Sequence, residues 1–277
     1  MSSLLERLGR APDAKLIILF CDGLGSSNAA NQAINESLRS GMATSAALQV
    51  PCPWAQGAAV AYQGEDVGVS LTFNAPYETY RWGPITRSPS LLDGNGGFPS
   101  TLNDLWEHAD LDEARREARA QVERAILWGF DPTFLHAHMN ALSARPEFFD
   151  IYLELALEYR LPITLPSAAV KLGFPARKLA TDEGVLCADY VINTNNAASP
   201  LAALTQAIAD IQPGVTEIQL SPAFDTEEIR SSDPQWLRRV ADAHGLLNDL
   251  TFRGQVERSG VELISFAQLR AACAGRP

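Results

Sequence analysis

Leu16-Ile17-Ile18-Leu19-Phe20-Cys21-Asp22-Gly23-Leu24-Gly25 is an apolar run that stops at an acid and two glycines, and its reading decides the fold. A short continuous apolar run fits a strand buried on both faces, as in parallel sheets covered by helices. Helical sequence begins directly after it. Ser26, Ser27 and Asn28 offer N-cap oxygens, and Ala30, Ile34 and Leu38 recur at helical spacing before Gly41. Asp-Gly is also a hairpin signal, but the helical period that follows argues against a hairpin. The stretch therefore delivers Asp22 to the mouth of a parallel-sheet fold.

The pattern repeats along the chain. Further strands are expected over 43–50, 67–73, 133–138, 162–165, 188–194, 215–220 and 261–264. Helices are expected over 55–61, 112–128, 146–159, 200–211, 234–247 and at the end. Alternation of this kind implies a parallel sheet with helical crossovers. The length of 277 residues and the even spacing favour an α/β fold of the closed or nearly closed (β/α) TIM-like barrel type, a single domain over 1–277. The segment 74–102 is a long irregular insertion rich in Pro, Gly and aromatics. Long loops in compact domains are usually functional or disordered, and Tyr77, Tyr80, Trp82 and Phe98 argue against disorder. It is read as a binding lid or an oligomer contact, with a homodimer as the simplest such assembly.

Composition narrows the function classes. A formal net charge of −11 argues against the basic stripe that nucleic-acid binding needs. No stretch reaches the roughly 18 apolar residues of a membrane span. The first fifteen residues carry no apolar signal core, so a cytoplasmic protein is expected. Cys21, Cys52, Cys187 and Cys273 are scattered and form no C-x-x-C pair, against both a zinc knuckle and a disulfide framework.

In such a fold, reactive groups sit at the carboxyl ends of strands. Those ends carry Asp22, Ser70 and Thr72, His136 and His138, and Ser221 before Pro222. His136 and His138 are two apart, so on a strand both point the same way. One Asp and two His at a barrel mouth can ligate a metal; hydrogen-bonded wall residues are the plainer alternative. Gly23-x-Gly25 lacks the third glycine of a dinucleotide fingerprint, since Asn28 stands there. Neither Ser70 nor Ser221 lies in G-x-S-x-G, so no nucleophile elbow is present. His108 and His244 fall within helical sequence, as surface or core residues.

Several stretches together resemble the YdjC-like carbohydrate deacetylases, relatives of the chitooligosaccharide deacetylases. They are Cys21-Asp22-Gly23-Leu24-Gly25, Ala43-Thr44-Ser45, Val50-Pro51-Cys52-Pro53-Trp54-Ala55 and Val67-Gly68-Val69-Ser70-Leu71-Thr72. Tyr80-Arg81-Trp82-Gly83-Pro84, Pro89-Ser90-Leu91-Leu92-Asp93 and Asp131-Pro132-Thr133-Phe134-Leu135-His136-Ala137-His138-Met139 continue the likeness. Arg145-Pro146-Glu147-Phe148-Phe149 and Glu217-Ile218-Gln219-Leu220-Ser221-Pro222-Ala223 complete it across nearly the whole chain. The resemblance implies a distorted (β/α) barrel and a reaction in which water, activated by a divalent metal such as Mg or Zn, removes an acetyl group from an N-acetylated sugar or oligosaccharide. Such chemistry needs a cation to polarise the carbonyl, a carboxylate base and an acid for the leaving amine.

The sequence departs from the family pattern where the chemistry lies. The family opens on a double Asp, the first a base and the second a metal ligand; here they are Asp22 and Gly23. The third-strand metal His is replaced by Ser70, and the acid of a His-Pro pair by Ser221. In the fourth strand only His138 matches a ligand. A metal lowers the pKa of bound water from about 15.7 to about 7, on the order of 12 kcal/mol of nucleophile activation. The expectation is a carbohydrate deacetylase homologue with a degenerate site, its metal absent or weakly bound and catalysis impaired or lost. Asp22 is its catalytic residue. Gly23, Ser70, Thr72, Asn140, Ser221, Arg81 and Trp82 are its expected pocket residues. Two alternatives stand beside it: an active hydrolase whose metal has moved to Asp22, His136 and His138, and a non-catalytic sugar-binding or partner-binding protein.

Overall fold

The computed structural model describes residues 3–167, 170–193, 205–206 and 208–274. The opening stretch is strand β1 (Lys15–Leu24), buried along all but its first residue. It pairs in parallel with β2 (Ser45–Leu48) along one edge and β6 (Gly214–Leu220) along the other. β3 (Val67–Leu71) and β4 (Leu135–Ala137) continue beyond β2, and β5 (Tyr190–Asn193) lies beyond β6. The short β7 (Glu262–Leu263) pairs with the start of β1. The order is β4-β3-β2-β1-β6-β5, all pairings parallel. Past β4 the sheet curls onward: Leu135 bridges Ile163, whose N–H donates to the Leu186 carbonyl at 2.9 Å, just ahead of β5. This is an α/β fold, a distorted TIM-like barrel in one domain.

The two faces of β1 divide the core. Ile17, Leu19 and Cys21 pack into the large cluster that includes the surrounding helices. Leu16, Ile18 and Phe20 belong to a second cluster with Phe134, Val215 and Phe266. Phe134 and Phe266 stack at 3.8 Å between ring centroids, and Phe20 meets both edge-on at 5.7 and 5.8 Å. Each fully buried Phe contributes about 1.5–3 kcal/mol relative to exposure. Because strand side chains alternate, Asp22 continues the Phe20 face and opens above this aromatic floor.

Helices Asn28–Arg39, Ala55–Ala61, Leu111–Leu127, Pro146–Tyr159 and Trp236–Leu247 lie where periodicity places them, within a few residues. Ser27 caps the first, accepting from Ala30 N–H. The structure adds the helices Leu4–Arg7, Leu102–His108, Ala176–Asp182, Glu227–Ser232 and Leu250–Arg258, most too short to show a period. The expected strand over 133–138 stops at Ala137, because the chain turns through His138–Asn140 with φ of 50° at Met139 and 65° at Asn140. The strand expected over 162–165 is reduced to the Ile163 bridge. The helix expected over 200–211 lies mostly outside the described residues. No helix among the described residues is long and apolar enough to cross a membrane.

Segment 74–102 is pinned rather than trailing. Trp82 Nε1 donates to the Asn74 carbonyl at 3.0 Å, and Arg81 pairs with Asp93 and donates to the Phe98 carbonyl. Buried Glu117 accepts from the N–H groups of Ile85 and Thr86 at 3.1 and 2.9 Å.

Candidate functional site

Asp22 reaches the barrel mouth through a break in β1. Its pairing with β2 jumps from Asp22↔Ala47 to Leu24↔Leu48, leaving Gly23 as an extra residue with φ +100°. An extra residue in a strand redirects its neighbours, and only glycine adopts that φ without strain. Gly25, at φ +92°, is excluded from carrying a side chain as well: a Cβ would meet Ala55 Cα at 3.0 Å and the Gln49 carbonyl at 3.1 Å.

The Asp22 carboxylate is buried and surrounded. Oδ1 accepts from Ser70 Oγ and Gln49 Nε2, both at 3.3 Å, and Oδ2 accepts from Gln219 Nε2 at 3.3 Å. The two histidines converge on the same Oδ2, His136 by Nε2 at 3.9 Å and His138 by Nδ1 at 3.7 Å. Thr164 Oγ1 lies 2.7 Å from His136 Nδ1, and Gln49 Nε2 lies 3.1 Å from His138 Nδ1. The His136 ring also packs against Phe20, 5.3 Å between centroids.

Burial alone would push the Asp22 carboxyl up. The close approach of His138 and the fields of His136, His138 and Arg239 outweigh it and hold the group well below the ordinary carboxylate range. Burial pushes His136 down to about 4 against the opposing pull of Asp22, so its imidazole is neutral near pH 7. The ensemble is a carboxylate flanked by a neutral imidazole and polar hydrogen-bond donors.

This cluster forms one wall of a cavity of about 480 Å³. Asn140 and Ser221 are among its lining residues. The backbone N–H of Ser221 donates to Asp242 at 2.9 Å. Ser70 reaches Asp22 from behind, and Thr72 turns to the Ser70 carbonyl at 2.8 Å. Gly23, Ser70, Thr72, Arg81 and Trp82 are not among the lining residues. Tyr77, from the long insertion, does line it, and its hydroxyl donates to Asp233 at 2.9 Å. Arg239 pairs with the same Asp233 and donates to Tyr77 at 2.9 Å. Gln49, Thr164, Glu217, Gln219 and Arg239 are site residues that sequence reasoning did not single out. The polar 217 and 219 positions within apolar β6 were the available signal, since they share a face with Ser221.

Fit to a divalent cation was judged from the donors present. Gly23 has no side chain, and Ser70 donates its hydroxyl to Asp22. Among the described residues no group of three His, Cys, Asp or Glu side chains is arranged to hold a metal ion. Gln49, Ser70 and Gln219 already donate to three of the roughly four lone-pair sites of the Asp22 carboxylate, which leaves little of it for a cation. The residues as arranged do not fit the metal.

A curled parallel barrel with an acid and two histidines at the strand ends defines a class of (β/α)-barrel proteins whose chemistry sits at the barrel mouth. The YdjC-like protein family model matches residues 16–258, and the chain belongs to that family. A carbohydrate deacetylase of Thermus thermophilus is 38% identical over 62% of this chain and 61% of its own length. One from Geobacillus stearothermophilus is 28% identical over 91% of this chain and 96% of its own. A crystal structure from Enterococcus faecalis V583, provisionally described as a cellobiose-phosphate cleavage protein, superposes with a TM-score of 0.82 at 23% identity, covering 92% of this chain and 99% of that one. That likeness concerns the fold.

Proposed function

We propose that this chain is a carbohydrate-binding member of the YdjC-like family, taking an N-acetylated sugar, in which metal-dependent hydrolysis of the acetamido group is lost or strongly impaired. The observation that carries the reading is the state of Asp22: Gln49, Ser70 and Gln219 hold its two oxygens as hydrogen-bond donors. In the family's chemistry the adjacent ligand positions bring a cation to this point, and here they are Gly23 and Ser70. The carboxylate still suits the recognition of polar ligand groups. The mixed polar and apolar cavity is within the size range of small-ligand sites, and the names of the relatives point to sugars.

A second reading has one observation in its favour. Among the described residues His136 Nε2 is buried without a hydrogen-bond partner while Nδ1 is oriented by Thr164, the outer-shell arrangement of many metal-ligating histidines. Metal analysis of protein purified without chelator separates the two. The expected result is substoichiometric metal together with saturable binding of N-acetylglucosamine oligomers by calorimetry. Stoichiometric zinc that disappears in His136→Ala would overturn the metal-free reading and establish the relocated site.

A further inference from the structure

Below Asp22 the cavity contains an ionisable group that none of the contacts above engages. Strand β6 alternates cleanly: Ile218 and Leu220 enter the helix-facing core, while Val215 enters the second core on the opposite face. Glu217 and Gln219 share the Val215 face and line the cavity. The 3.3 Å contact of Gln219 with Asp22 fixes the direction of that face. Glu217 stands two residues earlier, so its side chain enters roughly 6.6 Å deeper along the strand. The residue is 2% exposed, and its Oε2 has no hydrogen-bond partner among the described residues. Arg177, whose field acts on it, gives its guanidinium instead to the Ala188 carbonyl and to Cys187 Sγ.

A buried polar atom without a partner costs about 1–3 kcal/mol. Among the described residues no hydrogen bond to Oε2 offsets that at Glu217. A ligand seated deep in the cavity that Glu217 lines would. We propose that Glu217 anchors a deep subsite of this cavity, its carboxyl hydrogen-bonding a hydroxyl group of an uncharged sugar ring that passes below Asp22. Burial pushes Glu217 up to about 8, so the group is a neutral acid near pH 7. A neutral acid both donates and accepts, which matches a hydroxyl. Its neutrality also avoids adding an unpaired negative charge to a cavity that Asp22 and the Arg239-paired Asp233 already line. The inference rests on the sugar-binding reading above and adds the residue that reads the far end of the ring.

The test compares wild type, Glu217→Gln and Glu217→Ala, each as the full chain, by calorimetry with N-acetylglucosamine and its dimer, and by thermal unfolding without ligand. Glu217→Gln keeps a donor and an acceptor in place and should bind within a fewfold of wild type. Glu217→Ala removes both and should weaken binding about tenfold or more. Both variants should unfold at or above the wild-type temperature, because a partnerless buried acid has been removed. Equal binding by wild type and Glu217→Ala overturns the inference while leaving the sugar reading intact. Absence of binding by wild type removes both. A marked loss of thermal stability in Glu217→Gln identifies a structural role and also overturns the inference.

Discussion

A β-carbon built on Gly23 would lie 3.4 Å from Nη1 of Arg239. The backbone there has φ +100°, a conformation L side chains rarely adopt. Arg239 is itself locked by Asp233 and Tyr77 and lends its charge to the ionised state of Asp22. The position where the resemblance implies a metal-ligating Asp in the family is thus a glycine whose backbone would strain any side chain, beside a fixed cation. Gly23→Asp, which restores the family residue, should therefore destabilise the protein by roughly 1–3 kcal/mol. It should not restore stoichiometric metal. Denaturant unfolding and metal analysis check this, and a variant of unchanged stability that binds one zinc would show that the local chain adapts.

Asp22 also tunes its neighbours. Burial lowers His136 to about 4, and the Asp22 carboxylate is the opposing influence that raises it. Asp22→Asn removes that charge while keeping the shape. The His136 pKa should fall further, followed by imidazole NMR during a pH titration. An upward shift would mean that the carboxylate does not interact with His136 as the 3.9 Å separation implies.

Much of this was legible in the chain. The run from Leu16 to Cys21 announced a two-sided buried strand because both faces meet apolar layers, and alternation with helical periods implied parallel pairing. Period-two spacing implied that His136 and His138 point the same way, although the strand itself ends at Ala137. What was not legible depends on the curl of the sheet. Gln49 and Gln219 approach Asp22 from the strands on either side of β1, and Thr164 reaches His136 from beyond β4. No local pattern marks a polar residue as a partner when the contact spans 27 or 197 positions. Arg81 and Trp82 illustrate the reverse, residues whose type suggested ligand contact but whose side chains secure the insertion to itself.

Glu117 should be the chief fastening of that insertion. It is fully buried and accepts from Ile85 N–H, Thr86 N–H, the Thr86 hydroxyl and Gln121 Nε2. Glu117→Ala leaves the Ile85 and Thr86 N–H groups without this acceptor and should cost about 2–4 kcal/mol. Limited proteolysis should then cut within 74–102 faster than in wild type. Unchanged cleavage would show that the Trp82 and Arg81 contacts suffice to hold the segment.

Glu217 makes stability depend on pH in an unusual direction for a carboxyl group. Its ordinary value is 4.5 and burial raises it to about 8 in the folded protein. Between those limits the unfolded chain has released a proton that the folded chain still holds, so the folded state loses stability as pH rises and levels off above about 8. Other groups add their own slopes: His136, depressed to about 4, withdraws stability as pH falls below its ordinary 6.5. The contribution of Glu217 is isolated by comparing wild type with Glu217→Gln, which leaves His136 in place. The stability advantage of the variant should be small near the lower limit and grow steadily toward the upper one. Denaturant unfolding at several pH values across that window measures it. A constant difference would mean that Glu217 ionises alike in the folded and unfolded chains, and that its carboxyl is solvated rather than confined to the cavity floor.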